Sequence, residues 1–171
     1  MARAALAQLE LEKIIWMPTG EPRYRQAPVA SGEHRVAMLR LALEGEPESE
    51  IDTRELAPGA SGYTVDTLLE LRLELGRETT MILLLGADQY EKLGSWHRPG
   101  ELKRLAKIAV YKRPGFEKKI GRETLLIDIA PMAVTGSEIR ARVARGEPID
   151  AMVPAAVAGY IVEHGLYRLP S

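Results

Sequence analysis

Cysteine is absent from the 171 residues, and histidine occurs only three times. The first absence excludes disulfide frameworks, Cys-based zinc sites and thiol chemistry together. The histidines, His34, His97 and His164, have no i,i+4 spacing and no neighbouring carboxylate set, so a metal site built by the protein is not expected. Aromatic side chains are scarce too, nine in all with a single phenylalanine. No apolar run approaches the roughly 20 residues of a membrane span. The start, MARAALAQLELEK, lacks the apolar core and cleavage site of a secretory signal, which makes the cytoplasm the expected compartment. Ser61, Ser95 and Ser137 have no nucleophile-elbow context, so a Ser-His-Asp hydrolase has no support.

What is present describes an ordinary globular domain, 46% hydrophobic and 27% charged. A chain of this size buries about 70% of the surface its unfolded form exposes, and one domain over residues 1–171 is expected. The net charge of -1 hides an asymmetry. Between Arg98 and Arg122 nine Lys or Arg residues face only Glu101 and Glu117, a local charge of +7, which leaves -8 for the remainder. A basic segment on an acidic chain suits a small anion better than a long nucleic-acid track. On charge alone, a solvated loop and helix face is the commoner explanation.

Apolar runs alternate with amphipathic stretches, the pattern of a mostly parallel sheet crossed by helices. Strands are expected at Lys13 to Met17, Glu50 to Glu55, Thr80 to Leu85, Ile108 to Tyr111 and Leu125 to Ile129. The unbroken TMILLL run implies burial on both faces. Ser31 is the expected cap of a helix whose Val36, Leu39 and Leu43 share one face, and Thr64 the expected cap of a helix closed by Gly76. Thr135 and Glu138 match a capping box, and Val153 to His164 reads as a final helix followed by Gly165. Met1 opens into a helical pattern with no capping residue before it, so this helix is expected to be cut off at its front.

In open sheets of this kind ligands bind beyond the carboxyl ends of strands. Four segments follow such ends: PTGEPRYR, GADQY, KRPGF and APMAVTGSEIR. In VTGSEIR, a Thr-Gly-Ser turn at a helix start aims unpaired N–H groups outward, Gly136 permits close approach, and Arg140 lies one turn further on. This is the simplest phosphate cradle; a capped helix with a surface arginine is the commoner meaning of such a pattern. Arg113 adds a guanidinium able to grip two phosphate oxygens. Asp88 reads either as an acceptor for ribose hydroxyls or as a helix cap for Gln89 to Leu93. Trp96, in a loop bounded by Gly, Ser and Pro, either fills a core gap or stacks on something flat.

Seven segments in order, IIWMPTGEPRYR, GEHRVAMLRLAL, SGYTVDTLLELRLELG, LLLGADQYEKLGSWHR, VYKRPGF, VTGSEIRARV and VPAAVAGYIVEHGLY, resemble the bacterial nicotinate-nucleotide adenylyltransferases of the nucleotidyltransferase superfamily. The combination of GYTVDTL with GADQ and WHR separates this pyridine-nucleotide branch from relatives acting on pantetheine phosphate. The resemblance implies an α/β, Rossmann-like parallel sheet with helices on both faces. It also implies transfer of AMP from ATP to nicotinate mononucleotide, with magnesium carried on ATP. Thr64 falls where the family holds the nicotinate carboxylate, and Trp96 where it stacks the pyridine ring, with His97 giving mainly backbone contacts. Gly86 and Asp88 fall at the adenosine ribose. Arg113, Ser137 and Arg140 fall near phosphate, and Arg25 at the basic end of the PTG loop.

The departures are equally specific. The family's two prolines and His-Lys are here Pro22-Arg23-Tyr24-Arg25, and its Ile-Ser-Ser-Thr is Val134-Thr135-Gly136-Ser137. The family opens with a strand and a Gly-Gly-x-Phe-Asp-Pro-x-His-x-Gly-His turn whose histidines support the ATP phosphates, and nothing in this sequence corresponds. The expectation is therefore a domain short of roughly 20 residues, including the strand that would sit centrally in a 3-2-1-4-5 order, with its catalytic residues unassigned. Two other readings stay open. One is a non-catalytic pyridine-nucleotide-binding protein that has lost its ATP-phosphate site. The other is an adenylyltransferase that prefers nicotinamide mononucleotide.

Overall fold

The computed structural model describes residues 1–20, 30–111, 120–129 and 134–168. Its contacts divide the chain into two compact units, residues 1–12 with 63–131 and residues 13–62 with 132–171.

The first unit is built on a parallel sheet of order β3-β4-β5, from β3 (Ile82–Leu85), β4 (Lys107–Tyr111) and β5 (Leu125–Ile127). Parallel neighbours cannot be joined by a tight turn, and helices intervene between β3 and β4. These are α4 (Ala87–Lys92) and α5 (Pro99–Leu105), while α3 (Thr64–Leu75) precedes the sheet and packs on α5. Burial is deepest along β4, where Ile108 to Tyr111 are all buried, because β4 is paired on both sides. TMILLL falls short of the expected burial on both faces: Ile82 to Leu84 are half-buried and only Leu85 of the strand is buried. The other edge of β3 pairs with no described strand. Val65, Leu68 and Leu71, at helical spacing on α3, supply the buried face, and Leu102 of α5 is fully buried.

The helix α1 (Ala2–Leu9) starts at Met1 without a side-chain cap. Its Gln8 acts as a strand partner for the end of β5, donating to the Asp128 carbonyl at 2.7 Å and accepting from the Asp128 N–H at 2.9 Å. That ends β5 at Ile127, two residues before the expected Ile129.

The second unit pairs β1 (Ile14–Trp16) with β2 (Ser49–Ile51) in parallel. Between them runs α2 (Gly32–Ala42), whose Ser31 cap accepts from the His34 N–H at 3.3 Å as expected. The expected strand from Glu50 to Glu55 stops early. Asp52 accepts from the Arg54 backbone N–H at 2.9 Å and pairs with its guanidinium at 2.7 Å, which turns the chain into a 3-10 turn at Arg54–Leu56. The remaining helices are α6 (Gly136–Ala144) and α7 (Ala155–Glu163). Ile149, Val157, Ala158 and Ile161 form a core against Met38 and Leu41 of α2 and Ile139 and Val143 of α6. Among the described residues no helix is long and apolar enough to cross a membrane.

One side chain ties the end of α3 to α5. The guanidinium of Arg72 donates to the carbonyls of Gly76, Arg77 and Thr79 at 2.9, 3.2 and 2.6 Å and to that of Leu105 at 2.9 Å. Gly76 after the helix has φ +80° and ψ 166°, an extended conformation at positive φ rather than the expected left-handed helical one, and one open to glycine but strained for other residues. Arg72→Met is expected to lower the unfolding free energy by about 2 kcal/mol in urea titration, since it strips charged donors from several carbonyls.

Candidate active site

In the first unit the site residues cluster after β3. The strand ends in Gly86, and the next residue opens α4. Asp88 is not the cap: Gly86 holds that position and Asp88 lies in the first turn, exposed. The carboxylate folds back over the glycine, so that a Cβ added at Gly86 would lie 3.0 Å from Asp88 Oδ1. Glycine therefore keeps the strand end open and leaves the carboxylate its place above it. Thr64 is likewise not a cap. Tyr63 occupies the N-cap position in extended conformation without a side-chain bond, and Thr64 is the first helical residue, half-buried.

Trp96 and His97 lie on a short segment pinned at both ends. On one side a 3-10 turn at Leu93–Ser95 buries Leu93 and places the Trp96 N–H 3.2 Å from the Leu93 carbonyl. On the other, Arg98 enters α5, whose Glu101 and Leu102 N–H groups donate to the Arg98 carbonyl at 3.0 and 3.1 Å. Trp96 is half-buried, neither sealed in the core nor projecting freely, and His97 is exposed. The His97 ring stacks on Tyr63, with centroids 4.2 Å apart and planes inclined by 27°. Arg98 has φ +52° and ψ +53°, a left-handed conformation costing a non-glycine residue roughly 1–2 kcal/mol. Its guanidinium reaches Asp66 at 3.2 Å and Glu101 at 2.6 Å.

The second unit carries the start of α6. Thr135 caps it as expected, accepting from the Glu138 N–H at 3.1 Å, while the Glu138 carboxylate accepts from Arg142 Nε at 3.1 Å. Arg140 Nη2 donates to Ser137 Oγ at 3.2 Å, which brings the guanidinium back over the first turn. A Cβ at Gly136 would stand 3.2 Å from Arg140 Nη1, so the glycine gives that guanidinium its room. Thr135, Gly136, Ser137 and Arg140 are exposed. Arg25 and Arg113 lie outside the described residues.

Two groupings had no sequence signal beyond residue type. His34 and His164, far apart in the chain, have ring centroids 5.2 Å apart, and His34 Nδ1 lies 2.9 Å from the Tyr160 hydroxyl. Among the described residues no group of three or more His, Asp or Glu side chains is arranged to hold a metal ion. In the first unit the Tyr90 hydroxyl accepts from the Gly121 N–H at 3.0 Å and bonds Thr124 Oγ1 at 2.9 Å, tying α4 to the turn before β5.

Helices between parallel strands, a glycine and carboxylate at the carboxyl end of a strand, and an arginine folded over a capped helix start define a Rossmann-like nucleotide-handling protein. The comparisons agree. The cytidylyltransferase-like family model matches residues 1–142, and the chain belongs to that family. It is an enzyme, a nucleotidyltransferase. Relatives named "Probable nicotinate-nucleotide adenylyltransferase" include one from Hahella chejuensis, 36% identical over 92% of this chain and 83% of the relative. A second, from Laribacter hongkongensis, is 38% identical over 100% of this chain and 88% of the relative. The fold is also that of a Plasmodium falciparum nicotinic acid mononucleotide adenylyltransferase solved in complex with NaAD, with a TM-score of 0.74 at 18% identity over 92% of this chain and 83% of that one.

Tyr90→Phe removes the acceptor for the Gly121 N–H while keeping the ring. The expected loss is about 1–2 kcal/mol of unfolding free energy, with faster amide exchange at Gly121 measured by NMR.

Proposed function

We propose that the chain transfers AMP from ATP to nicotinate mononucleotide, giving nicotinate adenine dinucleotide and pyrophosphate. The observation that carries this reading is the half-buried Trp96, presented on a segment braced against the start of α3. An indole so placed offers a flat face to a pyridine ring. The first turn of α3 offers the positive end of a helix dipole, with the Thr64 hydroxyl, to the ring's carboxylate. The shared name of the relatives in Hahella and Laribacter supports the same substrate pair.

In this reading a phosphate oxygen of the mononucleotide attacks the α-phosphorus of ATP in line. A new phosphorus–oxygen bond forms as the bond to the bridging oxygen breaks and pyrophosphate leaves. No protein nucleophile is needed, so the protein's contribution is positioning and charge neutralisation. Gly86 and Asp88 take the adenosine ribose, the glycine by allowing approach and the carboxylate by accepting from its hydroxyls. Arg140, with Ser137 and the first amides of α6, takes phosphate, and Arg113 and Arg25 add positive charge in this assignment. Magnesium brought by ATP would be held mostly by the ATP phosphates, with few protein ligands, and would supply positive charge to the pyrophosphate leaving group. His97 contributes through its backbone and through its stack on Tyr63.

Pyrophosphate release from ATP is expected to require nicotinate mononucleotide and magnesium, followed by a coupled phosphate assay. Release that proceeds equally without the mononucleotide contradicts the assignment. Nicotinamide mononucleotide is expected to compete poorly, because it offers no carboxylate to the start of α3. Trp96→Ala is expected to weaken mononucleotide binding by about 1–3 kcal/mol in calorimetry, the range for stacking of a base on an aromatic side chain. Unchanged affinity in a folded variant assigns Trp96 to packing instead.

A further inference from the structure

We infer that Asp66 and Tyr63 are positioning residues of the pyridine pocket, holding Trp96 in its presenting conformation through Arg98 and His97. The inference rests on the reading of Trp96 as the platform for the pyridine ring. Between the 3-10 turn at Leu93–Ser95 and α5, residues 96–98 lie outside helix and strand, and side chains of α3 and of its N-cap residue reach them. This segment is held at two points. The Tyr63 ring lies on His97 at 4.2 Å, directly after Trp96, and Asp66 Oδ1 meets Arg98 Nη1 at 3.2 Å, two residues after it.

Arg98 is the pin of the arrangement. Trp96 is extended at φ -71° and ψ 162°, whereas α5 begins at Pro99, so the backbone must change conformation between them. Arg98 makes that change in a left-handed conformation, one that an L residue adopts rarely without outside support. The support comes from two carboxylates on different helices, Asp66 of α3 on one guanidinium nitrogen and Glu101 of α5 on the other, at 2.6 Å. The side chains of Arg98 and Asp66 remain 43% and 33% exposed, so water screens the pair and it adds little to global stability. Its effect is local, fixing where the backbone of residue 98 goes and with it the direction of the indole. A platform already fixed in the free protein saves the ordering cost at binding.

The test uses the full chain in a Trp16→Phe background, which leaves Trp96 as the only indole. Asp66→Asn is expected to raise the dissociation constant for nicotinate mononucleotide about tenfold, the loss of one pre-ordered side chain, while that for ATP changes less than about twofold. Trp96 emission is expected to shift to the red with greater acrylamide quenching, and the urea midpoint to stay nearly constant. Asp66→Glu, which restores a carboxylate, is expected to recover most of the affinity, and Tyr63→Leu to reproduce the emission change. Unchanged mononucleotide affinity in Asp66→Asn overturns the inference, as does an equal loss for both ligands. If the parent chain binds no mononucleotide, the pyridine reading fails, and Trp96 emission alone then decides: a red shift in Asp66→Asn supports the brace and no shift overturns it.

Discussion

The parallel ladder through β4 is the constraint from which the described geometry of the first unit follows. A strand paired on both sides with parallel neighbours has its ladder hydrogen bonds met by those neighbours, and Ile108, Ala109 and Val110 are accordingly buried. Because the neighbours run in the same direction, their carboxyl ends lie along one margin and each connection must cross back through other structure. Gly86 therefore emerges at the margin where ligands of such sheets bind, and α4 and α5 fill the return path to Lys107.

The segments to which we assign the chemistry are held by the scaffold at their ends and left open in the middle. Leu93 and Leu102 anchor the Trp96 segment in the core, and contacts to α3 set its course between them. At the start of α6 the same economy appears: Thr135 meets a backbone N–H, and Arg140 is folded over the turn by Ser137, with Gly136 leaving the space. For adenylyl transfer between two phosphates this is the appropriate kind of construction, since the reaction asks for placement of charged groups more than for covalent participation.

Features governed by neighbouring residues were legible in the sequence. Ser31 and Thr135 cap the helices expected of them, Gly76 follows α3 at a positive φ, and the apolar runs at Ile82–Leu85 and Ile108–Tyr111 are strands. Misplacements came where two local choices compete. Thr64 and Asp88 are both good caps, yet Tyr63 and Gly86 take the positions, and Asp52 captures the Arg54 N–H to end a strand that alternation alone would extend. Contacts spanning thirty residues or more left no local trace: Tyr63 on His97, Asp66 with Arg98, Gln8 against Asp128, and His34 beside His164. Of the site, residue types at strand ends and helix starts could be read, but the brace that orients Trp96 could not, because it depends on how α3 meets α5.

We propose that the face of Trp96 and the start of α3 form one recognition site for a pyridine carboxylate. A crystal structure of the full chain with nicotinate mononucleotide tests it most directly. The ring is expected stacked on the Trp96 indole, with its carboxylate accepting from Thr64 and the first amides of α3. A ring bound elsewhere, or a carboxylate directed away from α3, would contradict it.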